Sequence, residues 1–190
     1  MTGLFFGSFN PIHRGHLQIA RCLLEQGFVD RVLFVVSPQN PFKKGQELLD
    51  AEKRIEIAAK AVAGDERMEV SDIELSMPRP SYTIDTLNQF SRLNPEECFA
   101  LIMGEDNLKN FPMWKGYEAI RQKYSVLVYP RGGSSLQREI GDSRIRFVNA
   151  PLFPVSSTEI REKIKNGEDI TPFVPAEVHD LVLNYYRQRW

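Results

Sequence analysis

The sequence predicts an α/β protein, a Rossmann-like doubly wound parallel sheet with helices on both faces. Three observations carry that expectation. Short apolar runs rich in β-formers alternate with stretches of helical periodicity, the alternation continues along most of the 190 residues, and polar loops marked by glycine or proline follow the apolar runs. Such strands are joined by right-handed crossovers, and ligands of such sheets bind beyond the carboxyl ends of the strands.

Taken in order, LFF at residues 4–6 and VLFVV at 32–36 read as strands. Between them HLQIARCLLEQG places apolar residues at helical spacing and ends at Gly27. AEKRIEIAAKAVAG, from Ala51, is the next helix and leads to MEVSDIEL. TIDTLNQFSRL reads as a helix and CFALIMG, residues 98–104, as a buried strand. YEAIRQKY is helical, SVLVYP at 125–130 is a fifth strand-like run, RGGSS is a loop and RIRFVNA adds a last strand. After Pro154 the pattern is helical twice, in STEIREKIKNG and EVHDLVLNYYRQ. No linker, repeat or low-complexity tract interrupts the pattern, so residues 1–190 are expected to form a single domain.

Hydrophobic content of 42%, charged content of 26% and a formal net charge of -1 describe an ordinary globular chain. The near-neutral balance points away from nucleic acid as a partner. No apolar run approaches the ~20 residues of a membrane span, and no leader pattern opens the chain, so no membrane association and a cytoplasmic location are expected. Homo-oligomerisation is left open. Cys22 and Cys98 lie in apolar segments without CxxC spacing and read as buried thiols.

Four loops are expected to converge on one rim: GSFNPIHRGH (7–16), SPQNPFKK (37–44), GEDNLKNF (104–111) and YPRGG (129–133). In the first, Gly7 permits close backbone approach, Pro11 fixes a turn, and a helix starting near Gly15 aims free N–H groups and a positive dipole end at the rim. His13 and His16 can add imidazole N–H donors to the same anion. Three other readings compete: a metal pair, for which no Cys or third His lies near; a structural turn with satisfied histidines; and a dinucleotide loop, which would want the absent GxGxxG. VSSTEIR, residues 155–161, supplies hydroxyls at a helix start and Arg161 about one turn inside, a pattern that suits phosphate or a plain N-cap.

GSFNPIHRGH resembles the GxFxPxHxGH signature of the nucleotidyltransferase superfamily, departing from its commonest form at Phe6 and Asn10, and VSSTEIR resembles that superfamily's ISSTxIR element. The resemblance implies transfer of a nucleoside monophosphate from a triphosphate. It places the β and γ phosphates of ATP between the two elements and His13 and His16 on the α-phosphate, with Mg²⁺ neutralising the polyphosphate and no covalent enzyme intermediate. His13, His16 and Arg161 become catalytic candidates; Gly7, Ser8, Phe9, Gly104, Ser156 and Ser157 join them as ATP-binding candidates. No side-chain metal cage is expected.

MGEDNLKNFPMWKGYEAI, from Met103, resembles the GxDxxxxxxxWxxxxxI element of bacterial nicotinate mononucleotide adenylyltransferases. By that resemblance Asp106 takes ribose hydroxyls and Trp114 stacks on the cationic pyridine ring. In PSYTIDTL (80–87) the corresponding element gives backbone N–H groups at Tyr82 and Thr83 to the nicotinate carboxylate; an N-cap at Ser81 or Thr83 is the rival. Lys44 matches a lysine of one branch's PPHK element. The expected partners are therefore ATP and nicotinate mononucleotide. Rival readings are an adenylyltransferase for nicotinamide mononucleotide or phosphopantetheine, and a non-catalytic nucleotide sensor. A dehydrogenase is disfavoured by the missing glycine fingerprint. His179 matches no catalytic element, and Arg131 lies on the rim either against a ligand or in water.

Overall fold

Apolar runs of β-branched and aromatic residues pair into one sheet in the computed structural model, which describes residues 1–38, 48–131 and 143–189. Its strands are β1 (Thr2–Gly7), β2 (Arg31–Val36), β3 (Met68–Ser71), β4 (Phe99–Gly104), β5 (Ser125–Tyr129) and β6 (Ile145–Phe147). All neighbouring pairs are parallel and the order is β3-β2-β1-β4-β5-β6. The chain therefore winds outward from β1 to one edge, returns, and winds outward through β4 to the other. The crevice between the ends of β1 and β4 is the switch point where such sheets hold ligands.

Period-two alternation assigns the strands' side chains to two layers. Phe5, Phe34, Val36, Ala100, Ile102 and Leu127 face one core; Leu4, Val35, Leu101, Met103, Val126 and Val128 face the other. Helices α1 (Arg14–Glu25), α2 (Ala51–Val62), α6 (Ser157–Lys165) and α7 (His179–Arg187) cover the first layer with residues such as Leu23, Ile57, Ile160 and Val182. Helices α3 (Thr83–Leu93), α4 (Glu105–Leu108) and α5 (Tyr117–Lys123) cover the second through Leu87, Leu108 and Ile120. Each fully buried Leu or Phe contributes roughly 2–3 kcal/mol, so both layers hold the rim stiffly.

The structure adds elements too short to carry a periodic signal: α4, and 3₁₀ turns at Ile73–Leu75, Phe111–Met113 and Ala176–Val178. It also corrects the cysteines. Cys98 is exposed and Cys22 half-buried. Cys98 sits one residue before β4, where its carbonyl accepts the Thr2 N–H at 2.8 Å while its side chain lies beyond the covered part of the strand. Among the described residues no helix is long and apolar enough to cross a membrane.

Candidate active site

Gly7 ends β1, and a Cβ there would lie 2.8 Å from the Phe9 ring. That ring is turned inward by a backbone with φ of +42° and packs on Phe34 at 5.5 Å and edge-on against His16 at 5.0 Å. The Phe9 side chain thus serves the core, so only its backbone faces the loop. His13 is the N-cap of α1 and His16 lies in its first turn. The two rings stack at 3.7 Å with 26° between their planes, and both are buried. The His13 N–H donates to His16 Nδ1 at 3.2 Å, so a neutral His16 carries its proton on Nε2. Gly15 lets the segment leading into α6 approach: a Cβ there would lie 3.0 Å from Val155 and 3.1 Å from the His13 ring.

Burial, and then the positive field of Arg131, lower the His13 pKa from 6.5 to about 3. His13 is therefore a neutral imidazole at physiological pH, and its buried Nδ1 has no hydrogen-bond partner among the described residues. A buried polar atom left unsatisfied is unusual outside functional sites.

The second element closes on this loop from the far end of the chain. Ser156 caps α6, its hydroxyl accepting the Glu159 N–H at 3.1 Å. Ser157 donates to the Pro11 carbonyl at 2.9 Å, and Arg161 Nη1 donates to the Asn10 carbonyl at 2.8 Å. Asn10 Oδ1 accepts the Tyr186 hydroxyl at 2.6 Å and the Leu49 N–H at 3.1 Å. Position 10 is thus a neutral structural hub. The plain cap holds for Ser156, yet the Ser157 and Thr158 N–H groups at the same helix end have no acceptor among the described residues. Burial lowers the Arg161 pKa, and a guanidinium stays charged there all the same.

Arg54, missed at the sequence level, is only 1% exposed. Its guanidinium donates to the carbonyls of Ser8, Ser37 (2.9 Å), Leu49 (2.7 Å) and Pro38 (3.2 Å), stapling the loops after β1 and β2 together. The available signal was its position in α2, on the same buried stripe as Ile57, Ala58 and Val62.

Across the crevice, Gly104 ends β4, and a Cβ there would collide with Asp106 Oδ1. Asp106 is exposed, its Oδ1 accepting from Asn107 Nδ2 at 3.4 Å. Trp114 is half-buried and packs edge-on against Phe111 at 5.5 Å. Helix α3 starts at Thr83 with Tyr82 as N-cap and no side-chain cap, which removes the rival reading: the Ser81 hydroxyl turns instead to Glu74. The Thr83 and Ile84 N–H groups have no acceptor among the described residues. Lys115 joins the two regions, its Nζ 4.4 Å from the Tyr82 ring centroid and 2.8 Å from Asp85 Oδ2. Arg131 lies 5.8 Å from the Tyr129 ring and its charge is felt at His13 and Asp106, so it belongs to the rim cluster. His179 is a surface histidine 2.9 Å from Asp180. Lys44 lies outside the described residues.

The cytidylyltransferase-like family model matches residues 4–163. A protein of Cytophaga hutchinsonii named "Probable nicotinate-nucleotide adenylyltransferase" is 47% identical over 186 residues, covering 97% of each chain. A protein of the same name from Flavobacterium psychrophilum is 42% identical over 98% of each. In fold, the chain matches Plasmodium falciparum nicotinic acid mononucleotide adenylyltransferase complexed with NaAD with a TM-score of 0.77 at 17% identity, covering 98% of this chain and 97% of that one. Residues 7–16 and 155–161, brought together by the fold, thus sit in a chain that belongs to the cytidylyltransferase-like family and, within it, to the nicotinate-nucleotide adenylyltransferases.

Proposed function

We propose that this site transfers the AMP moiety of ATP to nicotinate mononucleotide, yielding nicotinate adenine dinucleotide and pyrophosphate in NAD biosynthesis. The observation that carries the assignment of roles is the stacked, buried histidine pair at the start of α1, facing the open first turn of α6 across Gly15.

The chemistry suits neutral imidazoles. A phosphate oxygen of the mononucleotide forms a bond to the α-phosphorus of ATP while the bond to the bridging oxygen breaks, and pyrophosphate leaves with that electron pair. The nucleophile is already ionised at neutral pH, so no general base is needed and catalysis is positioning plus charge stabilisation. His16 Nε2–H and the His13 imidazole donate to the α-phosphate oxygens; their burial keeps water from competing. The Ser157 and Thr158 N–H groups, the positive end of α6 and Arg161 take the leaving pyrophosphate. Gly7 and Ser8 bring backbone to the nucleotide, and Gly104 lets it pass close to β4.

The acceptor lies along the other wall. Asp106 takes ribose hydroxyls, the Trp114 indole stacks on the pyridine ring, and the Thr83 and Ile84 N–H groups, beside Tyr82, receive the carboxylate. Lys44 supplies a phosphate contact. Among the described residues no cluster of three or more His, Cys, Asp or Glu is placed to hold a metal. Mg²⁺ would be held by the phosphates and water and would neutralise polyphosphate charge.

Pyrophosphate release with ATP and Mg²⁺ tests the reading, comparing nicotinate mononucleotide, nicotinamide mononucleotide and phosphopantetheine at equal concentration. A strong preference for the nicotinate acceptor is expected. Preference for another acceptor would overturn the pocket assignment, and no release with any would overturn the activity.

A further inference from the structure

Glu74 is a carboxylate buried to 2% exposure, carried by the 3₁₀ turn that follows β3 and far in sequence from both nucleotide-binding elements. Its two oxygens are used on opposite sides of one helix start. The Ser81 hydroxyl donates to Oε2 at 2.9 Å, and the Thr86 hydroxyl donates to Oε1 at 2.8 Å. Ser81 immediately precedes the N-cap of α3, and Thr86 lies one turn inside it; both are buried.

A helix start needs bracing, and an ordinary capping side chain supplies it by accepting an N–H of the first turn. At α3 that solution would occupy donors a ligand needs. Tyr82 makes no side-chain cap, and the bracing comes from outside the helix, from hydroxyl bonds to Glu74 that leave the Thr83 and Ile84 N–H groups without an acceptor among the described residues. We propose that Glu74 is a positioning residue for acceptor specificity: it fixes the direction of the free N–H pair of α3 so that a pyridine carboxylate is received by preorganised donors. The inference rests on the reading of this helix start as the carboxylate subsite. A carboxylate accepts from two hydroxyls at once, whereas alanine accepts from none. Glutamine keeps both links, its amide oxygen accepting one hydroxyl proton and its NH₂ donating to the other hydroxyl oxygen.

The test compares the wild-type enzyme with Glu74→Ala and Glu74→Gln in full kinetics with both mononucleotides. For Glu74→Ala the KM for nicotinate mononucleotide should rise about 10-fold or more and the acid-over-amide preference should fall by a similar factor, with kcat and the KM for ATP within about 3-fold. Glu74→Gln should restore most of the preference. An unchanged preference in Glu74→Ala, or a fall in kcat with equal rises in both KM values, would overturn the proposal while leaving the subsite in place. A wild-type enzyme indifferent to acid and amide would overturn the subsite reading and this proposal with it. Should Glu74→Ala fail to fold, Ser81→Ala and Thr86→Val each cut one link; a loss of acid preference in either supports the role, and none in both refutes it.

Discussion

The buried state of His13 has a measurable signature in stability. In the unfolded chain the imidazole titrates near 6.5, whereas burial and the Arg131 charge hold it near 3 in the fold. Between those values the unfolded state binds a proton that the folded state does not, so stability is full above the unfolded pKa and is lost as pH falls through it. One group contributes at most about 1.4 kcal/mol per pH unit, and integration from about pH 7 to about pH 5 gives a loss of roughly 2 kcal/mol. Any folded value below about 4 leaves that figure almost unchanged, because the unfolded titration sets the window. His13→Asn keeps a polar group of similar reach and removes the titration. Urea melts at the two pH values should show wild type losing about 2 kcal/mol more than His13→Asn. Equal losses in the two proteins would refute the buried, neutral imidazole and with it the claim that this residue meets ATP uncharged.

Three further outcomes are expected. His16→Ala should lower kcat by roughly 100-fold while the far-UV circular dichroism spectrum at assay temperature stays that of wild type, because its Nε2–H acts on the transition state; the lost ring packing and His13 N–H bond lower the melting temperature separately. Trp114→Ala should raise the KM for nicotinate mononucleotide well above any change in the KM for ATP in steady-state assays, the loss of stacking amounting to about 1 kcal/mol or more. Arg54→Met strips four carbonyls of their donor and, after the relief of a buried charge is offset, should destabilise the protein by about 3 kcal/mol, seen as a drop of roughly 6–12 °C in Tm.

Features encoded locally were legible. The strand-helix alternation fixed the layers, because each layer records itself as a period of two or of 3.6 in its own segment. The histidine pair and VSSTEIR were legible for the same reason: each is a helix start within one short stretch. What escaped depends on distant partners. Arg54 reads as a solvated arginine until the carbonyls of residues 8, 37, 38 and 49 are seen around it, and Glu74 reads as one more acidic residue until the chain folds Ser81 and Thr86 onto it. Cys98 was misjudged because an apolar context does not say where a strand leaves cover.

The links from Asn10 and Pro11 to Ser157, Arg161 and Tyr186 span 146, 151 and 176 positions. On a ribosome, β1 and α1 emerge first, with their histidines, and the sheet can assemble as its strands follow. The residues that close on the loop after β1 arrive only with α6 and α7. A nascent chain therefore lacks the Ser157 and Arg161 links until α6 is made, and a chain ending within α7 before Tyr186 keeps those two links but loses the hydroxyl that holds the Asn10 side chain.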